Sequence, residues 1–484
     1  MLSYRSFSIY RIFNVLCWLS IASVVAVFSF IGPTTYVNEY TMLITSTFGI
    51  LILFIVRDSK KENNQLLVVL SWWCLFFYII RVITLNYTDY SNCLKRCDAT
   101  ATDVNIALVI GIISVICLWV FMRFSRCDRS KNTRLAIRYD HTNVNRALIV
   151  YWIAFVINII AEYELPLSGI ASIVRNFILN INDLLYLFLA YVILVWKEIK
   201  NKEKKWVLIS LVAYVAFVTL NGSRAGFYNI AKMLFFIFLS LGFSNIRKKY
   251  IYGLGVLLPV MFAFFIYSSF MRQMNMQKSS LSEKIELVGQ ASEYAKELDT
   301  KLLLGPVFDR IGFLDMTTEM VANSNHLKKY VNFETEFKSI IDNALSPGFD
   351  LFDAPKISNI ISNSYEFGSN VLFSKTANSK EDYHSDELTA FGEAYLLFNV
   401  PLCFVFLSVV GIILHKIWKK AISYNNEKTV FLKSMCLYLF ELFLSSYGFD
   451  WLMLYIVCFV ITYLIYVSYV FGGTKHHVKT ATMM

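Results

Sequence analysis

The sequence predicts an all-α integral membrane protein with about 12 transmembrane helices, one large outward loop of short helices, and both termini in the cytoplasm. The chain has 484 residues, of which 57% are hydrophobic and only 17% are charged. An ordinary soluble domain has more charge and less apolar content. Apolar runs of about 20 residues, the length that crosses a hydrocarbon core, recur along the chain between short polar links.

The predicted spans share this length and a scarcity of charge. They run from Arg11 to Ile31, Tyr40 to Val56, Gln65 to Leu85, Val104 to Phe124, Ala147 to Tyr163, Ile178 to Trp196, Trp206 to Leu220, Ala225 to Ser244, Ile251 to Met271, Thr389 to Leu414, Thr429 to Tyr447 and Phe449 to Phe471. No small-residue cleavage site follows the first run, so we expect a retained span and not a removed signal peptide.

Lys and Arg are concentrated in alternate links between these spans. The basic links are "RDSKKENN" from Arg57, "RFSRCDRSKNTRLAIR" from Arg123, "KEIKNKEKK" from Lys197, "NIRKKY" from Asn245 and "HKIWKK" from His415. Basic links lie on the cytoplasmic side of a membrane protein. The net charge of +10 therefore reflects topology, and we expect no nucleic-acid partner.

One long polar segment divides the chain. Residues 1–271 hold spans one to nine, residues 272–388 form the outward loop, and residues 389–484 hold spans ten to twelve and a cytoplasmic tail. Within the loop, "SSLSEKIELVGQASEYAKELDTKLL" opens with capping-box spacing, and "FDRIGFLDMTTEMVANS" predicts a second amphipathic helix. A structureless link of this length is unusual, so we expect a folded cap over the membrane domain.

Two cations lie within or beside the eighth predicted span, in "NGSRAGFYNIAK". Arg224, Tyr228 and Lys232 follow one another at four-residue steps, which places Lys232 about 12 Å deeper than Arg224 on one helical stripe. A stripe of cations entering from the outer leaflet suits an anionic headgroup. Alternatively, Arg224 extends to the interface, and Lys232 pairs with a buried acid, either Asp183 or Glu441.

Three more arginines are predicted on the outward face: Arg81 in the third span, Arg272 after the ninth, and Arg310 in the loop. Arginine suits phosphate because its planar guanidinium donates paired hydrogen bonds and stays charged.

The stretch "EDYHSDELTAFGEAYLLF" supplies the candidate general bases His384, Asp386, Glu387 and Glu393, of which His384 and Glu393 are favoured. A carboxylate inside a span, as predicted for Glu393, needs a charged partner or a water-filled cavity. His384 is equally compatible with an exposed loop position, and Glu393 with structural pairing to an arginine. The group lacks metal-ligand spacing, so we expect no metal.

Cys93 and Cys97 share one outward loop, where either a disulfide or two free thiols is compatible with their spacing. No Walker A motif, no internal repeat and no Gly-rich dinucleotide loop is present in the sequence, so a nucleotide-driven pump is not expected.

Together, the "GSR" turn, the large outward loop with "FDRIGF", and the "FGEAYLLF" segment resemble the Wzy-type O-antigen polymerases, or oligosaccharide repeat-unit polymerases. The resemblance implies a glycosyltransferase of the bacterial inner membrane that acts on the periplasmic side without cofactor or metal. Donor and acceptor would be oligosaccharides linked to undecaprenyl diphosphate. The family's Asn-Phe-Gly turn after the GE-x-Y element is replaced here by residues Leu397 to Pro401.

The resemblance also implies roles for the candidate residues. Diphosphate binding is assigned to Arg224, Lys232, Arg272, Arg310 and Arg81, and Arg224 also takes part in catalysis. Glu393 or His384 is expected to deprotonate the acceptor hydroxyl. Membrane lipids, a chain-length regulator and a flippase are the implied partners.

Two other functions remain open. An O-antigen ligase is also a multispan enzyme with a large outward loop, although the GSR and FGEAY elements favour the polymerase. A flippase for the same lipid-linked unit suits the number of spans, but transporters usually have symmetric halves and short links.

Overall fold

The computed structural model describes residues 6–62, 64–123, 141–162, 199–220, 245–247, 312–345, 388–423, 427–445 and 448–470, and isolated positions within 188–196, 232–240 and 351–361. Among these residues the regular structure is helical apart from one pair of short strands. Five of the described helices are long and apolar enough to cross a membrane. The chain is therefore a helical membrane protein, as its composition predicts.

The first four predicted spans are all helical. The elements are α1 (Ile9–Ile31), α2 (Glu39–Glu62), α3 (Gln65–Cys74), a π-helical turn (Leu75–Ile80), α4 (Arg81–Thr88), the short α5 (Asn92–Arg96) and α6 (Ala101–Arg123). The third span is thus one continuous rod made of α3, the π turn and α4. α2 packs against α1, α3 and α6.

The two ends of this four-span bundle are distinguished by their polar contacts. At the end that carries the basic links, Arg123 Nη1 lies 3.3 Å from Asp58 Oδ2. At the other end, Thr35 Oγ1 donates a hydrogen bond of 3.0 Å to Asp89 Oδ2, joining the α1–α2 link to the residue after α4. We call this second end the non-basic end.

The fifth and seventh predicted spans overlap α7 (His141–Glu162) and α8 (Asn201–Leu220). The long polar segment contributes α9 (Phe313–Ala322), the single-turn α10 (Ser324–Leu327) and α11 (Phe333–Leu345). α9 is the second helix predicted for the outward loop; the first, which begins at Ser279, lies outside the described residues.

The tenth predicted span is wrong as one continuous helix. The structure has α12 (Ala390–Phe398) and then α13 (Leu402–Ser423), and of the two only α13 is long enough to cross a membrane. Asn399 between them has a positive φ of 57°, which asparagine tolerates better than most residues. Pro401 also disfavours a helical conformation at the residue before it.

The last two predicted spans overlap α14 (Glu427–Leu444) and α15 (Phe449–Ile465), which is followed by a π-helical turn (Tyr466–Val470). α13 packs against α6 and α14, and α14 packs against α3 and α15. The ninth predicted span lies outside the described residues, as do most of the sixth and eighth. The total of twelve spans and their orientation remain predictions.

A pair of three-residue strands was not predicted. β1 (Ser6–Ser8) pairs antiparallel with β2 (Asn245–Arg247), with Phe7 opposite Ile246. Such short strands leave no recognisable period in the sequence. The pairing brings the start of the chain to the basic link "NIRKKY", and the twelve-span prediction places both on the same side of the membrane.

Candidate functional site

The helix α9 is buried around most of its circumference and carries two acids into the bundle. Asp315 and Glu319 are both fully buried, as is Thr317 between them. α9 packs against α6, α12 and the π turn of the third span. Its position was predicted from the sequence, but not its burial; an amphipathic loop helix is normally half exposed.

Aromatic rings hold α9 in this position. Phe313 contacts Phe77 edge to face with a centroid distance of 4.5 Å, and the ring centroid of Trp73 lies 5.9 Å from that of Phe313. Trp73 in turn meets Phe391 of α12 at 5.4 Å. Such pairs contribute about 0.5–1.5 kcal/mol each beyond their buried area, so the third span, α9 and α12 form one packed unit.

Arg81 forms a buried ion pair with Asp315. Its Nε lies 3.0 and 3.1 Å from the two carboxylate oxygens, and its Nη2 donates both to the carboxylate and to the carbonyl oxygen of Tyr90. Ser91 donates to the same carboxylate at 2.6 Å. Neither charged side chain has appreciable exposure. Arg81, predicted to bind diphosphate, is thus paired inside the protein.

A second contact links the third span to α12 through hydroxyl groups. The hydroxyl of Tyr78 lies 2.9 Å from Thr317 Oγ1, which lies 2.8 Å from Thr389 Oγ1. Thr389 caps α12 by accepting the Gly392 N–H at 3.1 Å. Tyr78 lies about 15 Å along the helix axis from the last residue of α4. Because Tyr78 contacts Thr317 of α9, this helix reaches well below the non-basic end of the bundle.

Glu393 is fully buried in the first turn of α12. Both of its carboxylate oxygens accept the backbone N–H of Phe449, at 2.9 and 3.0 Å. Phe449 is the first residue of α15, and the N-terminus of a helix stabilises a carboxylate through its unpaired N–H groups and its dipole. A carboxylate at the predicted depth of Glu393 needs a partner, and in the described structure this partner is the N-terminus of α15.

Lys232 pairs with Glu441, one of the two acids that the sequence left open. The Nζ–Oε2 distance is 2.8 Å, and the ammonium also lies 4.8 Å from the centre of the Tyr438 ring. Ser445 donates to the other carboxylate oxygen at 3.0 Å. Both charged side chains are buried. The other acid, Asp183, lies outside the described residues.

These contacts connect three predicted site residues, Arg81, Lys232 and Glu393, through α9 and the link between α14 and α15. Glu441 and Phe449 flank the short link between α14 and α15, so Lys232 and Glu393 are anchored on either side of that link. Glu393 follows Thr389, which reaches α9 through Thr317, and α9 carries the Asp315 partner of Arg81. We call this set the polar layer; it comprises Tyr78, Arg81, Ser91, Lys232, Asp315, Thr317, Glu319, Thr389, Glu393, Glu441 and Ser445.

Four predicted site residues lie outside the described part of the chain. They are Arg224, Arg272, Arg310 and His384. Their assigned roles therefore stay predictions.

Sequence reasoning missed several members of the polar layer. Asp315 and Glu319 are four residues apart and so share one face of a helix, a signal that was present in "FLDMTTEM". Cys93 donates its thiol to Glu319 at 2.8 Å, Cys97 donates its thiol to the carbonyl oxygen of Leu94 at 3.5 Å, and neither cysteine forms a disulfide. Of the two alternatives, the structure has the thiols. Among the described residues no group of His, Cys, Asp and Glu has the arrangement of a metal site.

Lys328, after α10, is a further cation that the sequence reasoning missed. Its ammonium contacts Asn399 Oδ1 and lies 5.0 Å from the centre of the Tyr395 ring, next to the break between α12 and α13. Desolvation lowers the pKa of this lysine from its ordinary value. Lys328 therefore places a partly exposed cation beside the end of α12.

Comparison of the chain with protein-family models, curated proteins and solved structures found no match. The family resemblance therefore rests on the sequence motifs.

Proposed function

We propose that this protein is a membrane glycosyltransferase that joins undecaprenyl-diphosphate-linked oligosaccharide repeat units at the periplasmic face of the bacterial inner membrane. The observation that carries the proposal is the polar layer itself. It fixes charged and hydroxyl side chains below the non-basic end of an apolar bundle, and one of its helices, α9, comes from the long polar segment. An enzyme acting on a lipid-linked anionic sugar donor needs a fixed framework of this kind to position the groups that bind the diphosphate.

In this proposal the layer positions the site, and the remaining cations bind the donor. Arg81 and Lys232 are each held by an acid, so their main task is to fix α9 and the α14–α15 link. Arg224, with Arg272 and Arg310, then holds the diphosphate leaving group. Stabilising the charge that develops on that group is the largest electrostatic contribution available, worth several kcal/mol.

Proton transfer requires one base for the acceptor hydroxyl. Glu393 or His384 takes this role in the proposal. Glu393 is already fixed by the N-terminus of α15, which gives it a defined orientation. A separate substitution of His384 tests whether this residue is the base.

The test is an electrophoretic ladder of surface polysaccharide from cells that lack this gene and carry wild type, Arg224→Ala or Glu393→Gln on a plasmid. We expect a core with a single repeat unit without the gene, a full ladder with wild type, and a lost or shortened ladder with either variant. Lys329→Ala is the matched control, because this exposed lysine lies outside the polar layer. A normal ladder with both site variants refutes the proposed site.

The same gel separates the other functions. Polymer that stays on the carrier lipid in the deleted strain indicates a ligase, because chains are made but not transferred. Repeat units that stay on the cytoplasmic face indicate a flippase. Either result refutes the polymerase proposal.

A further inference from the structure

The helix α11 has the reverse of the polarity found on the surface of a soluble protein. Its buried positions are polar: Glu336, Ser339, Asp342 and Asn343 are each less than 5% exposed. Two of its exposed positions are aromatic: Phe333 is 66% exposed and Phe337 is 52% exposed.

The two kinds of residue lie on separate faces. The buried residues recur every three or four positions, and Phe333 and Phe337 are one turn apart on another face. The two rings are stacked, with an interplanar angle of 14°. A helix next to water buries its apolar face, so an ordered aromatic face pointing outward indicates that the surrounding medium is apolar.

The polar face of α11 makes hydrogen bonds within the protein. Asp342 accepts the backbone N–H groups of Leu351, Phe352 and Ala354 at 2.8, 3.0 and 2.8 Å. This fixes the chain after α11, and the side chains of Leu351 and Phe352 are themselves largely exposed. These two side chains thus add apolar surface beside α11.

The helix that packs against α11 indicates that the apolar medium around its aromatic face is the lipid bilayer. α11 packs against α15, a predicted span that exposes Val460 and Leu464. The aromatic face therefore lies on a helix packed against a predicted span whose own surface includes exposed apolar residues. The exposed ion pair Glu334–Lys338, at 2.6 Å, lies on the neighbouring sector of α11, which is the arrangement of a helix at a membrane interface.

We propose that α11 is seated in the lipid interface, with Phe333 and Phe337 in contact with acyl chains and the Glu334–Lys338 pair at headgroup level. The long polar segment is then partly embedded in the bilayer and does not stand wholly above it. This inference concerns the membrane contact alone and is independent of the reaction proposed above.

The test uses the full chain in phospholipid nanodiscs with the photoreactive benzoylphenylalanine at Phe337. This residue is aromatic, so it keeps the character of the face. After irradiation, mass spectrometry measures the fraction of the labelled peptide that carries one phospholipid. The matched control carries the label at Asn325, an exposed polar position on α10.

We expect a severalfold higher lipid-adduct yield at Phe337 than at Asn325, and the same result with the label at Phe333. Equal yields at Phe337 and Asn325 overturn the proposal. So does a cross-linked protein dimer in place of the lipid adduct, because it identifies a second copy of the chain as the occupant.

Discussion

Removing the guanidinium of Arg81 leaves the Asp315 carboxylate inside the protein without its cation. The pair is fully buried, and Arg81 donates to both oxygens of the carboxylate. Breaking a buried pair from one side costs about 3–5 kcal/mol, because the remaining charge stays desolvated. We therefore expect Arg81→Met to lower the free energy of unfolding by about 3–5 kcal/mol.

The double variant Arg81→Met, Asp315→Leu removes both charges. Replacing a buried pair with apolar residues of similar volume is often neutral, so we expect it to recover most of the lost stability. Equilibrium unfolding in mixed detergent micelles measures wild type, both single variants and the double variant. The coupling energy from this cycle then reports the interaction of the two side chains.

Two results refute this reasoning. One is a loss below about 1 kcal/mol for Arg81→Met, the value typical of an exposed pair. The other is additivity, in which the double variant loses the sum of the two single losses. Lys338→Met, which breaks the exposed pair with Glu334, is the control and should cause no resolvable change in the same assay.

Activity of the double variant then separates two roles of Arg81. A stable double variant that forms a normal polysaccharide ladder makes Arg81 a structural residue. A stable double variant without a ladder shows that the Arg81–Asp315 pair is needed for activity beyond its contribution to stability.

Three further predictions concern other contacts. A Cβ at Gly392 falls 2.5 Å from Met320 Sδ, so Gly392→Val should cost about 1–3 kcal/mol by overpacking, and adding Met320→Ala should recover part of this loss in a thermal unfolding assay. Glu393→Gln keeps an acceptor for the N-terminus of α15 but removes the charge, so we expect a loss of about 1 kcal/mol; an unchanged melting temperature contradicts that role. Lys338 lowers the pKa of Glu334 by hydrogen bonding. The pair therefore adds a stabilisation too small for the unfolding assay to resolve, which is present above the ordinary carboxyl pKa and is lost as pH falls. Lys338→Met should raise the pKa of Glu334, measured by carbon NMR.

The sequence predicted what is encoded locally. The apolar runs of α1, α2, α6 and the third span are continuous in the chain, and their helical state follows from composition and length. The helix α9 was likewise visible in its own residues. The break at Asn399 was not predicted, because the apolar pattern continues across it and only Pro401 signals the change.

The partners in the polar layer were harder to predict because they are distant in the chain. The Lys232–Glu441 pair was one of two alternatives, since any buried acid satisfies a buried lysine equally well on composition. Asp315 was missed altogether, because an acid in a polar loop normally faces water. Only the packing of α9 against the third span makes it the counterion of Arg81.

The separation of that ion pair along the chain has a consequence for biosynthesis. Arg81 precedes Asp315 by 234 residues. At a synthesis rate of about 5–20 residues per second, Arg81 enters the membrane roughly 10–50 s before its counterion leaves the ribosome. During that interval the third span carries an uncompensated cation, so the nascent chain depends on water, lipid phosphate or the insertion machinery to shelter it. A product truncated before α9 is expected to retain this exposed charge and to be a preferred target of membrane quality control.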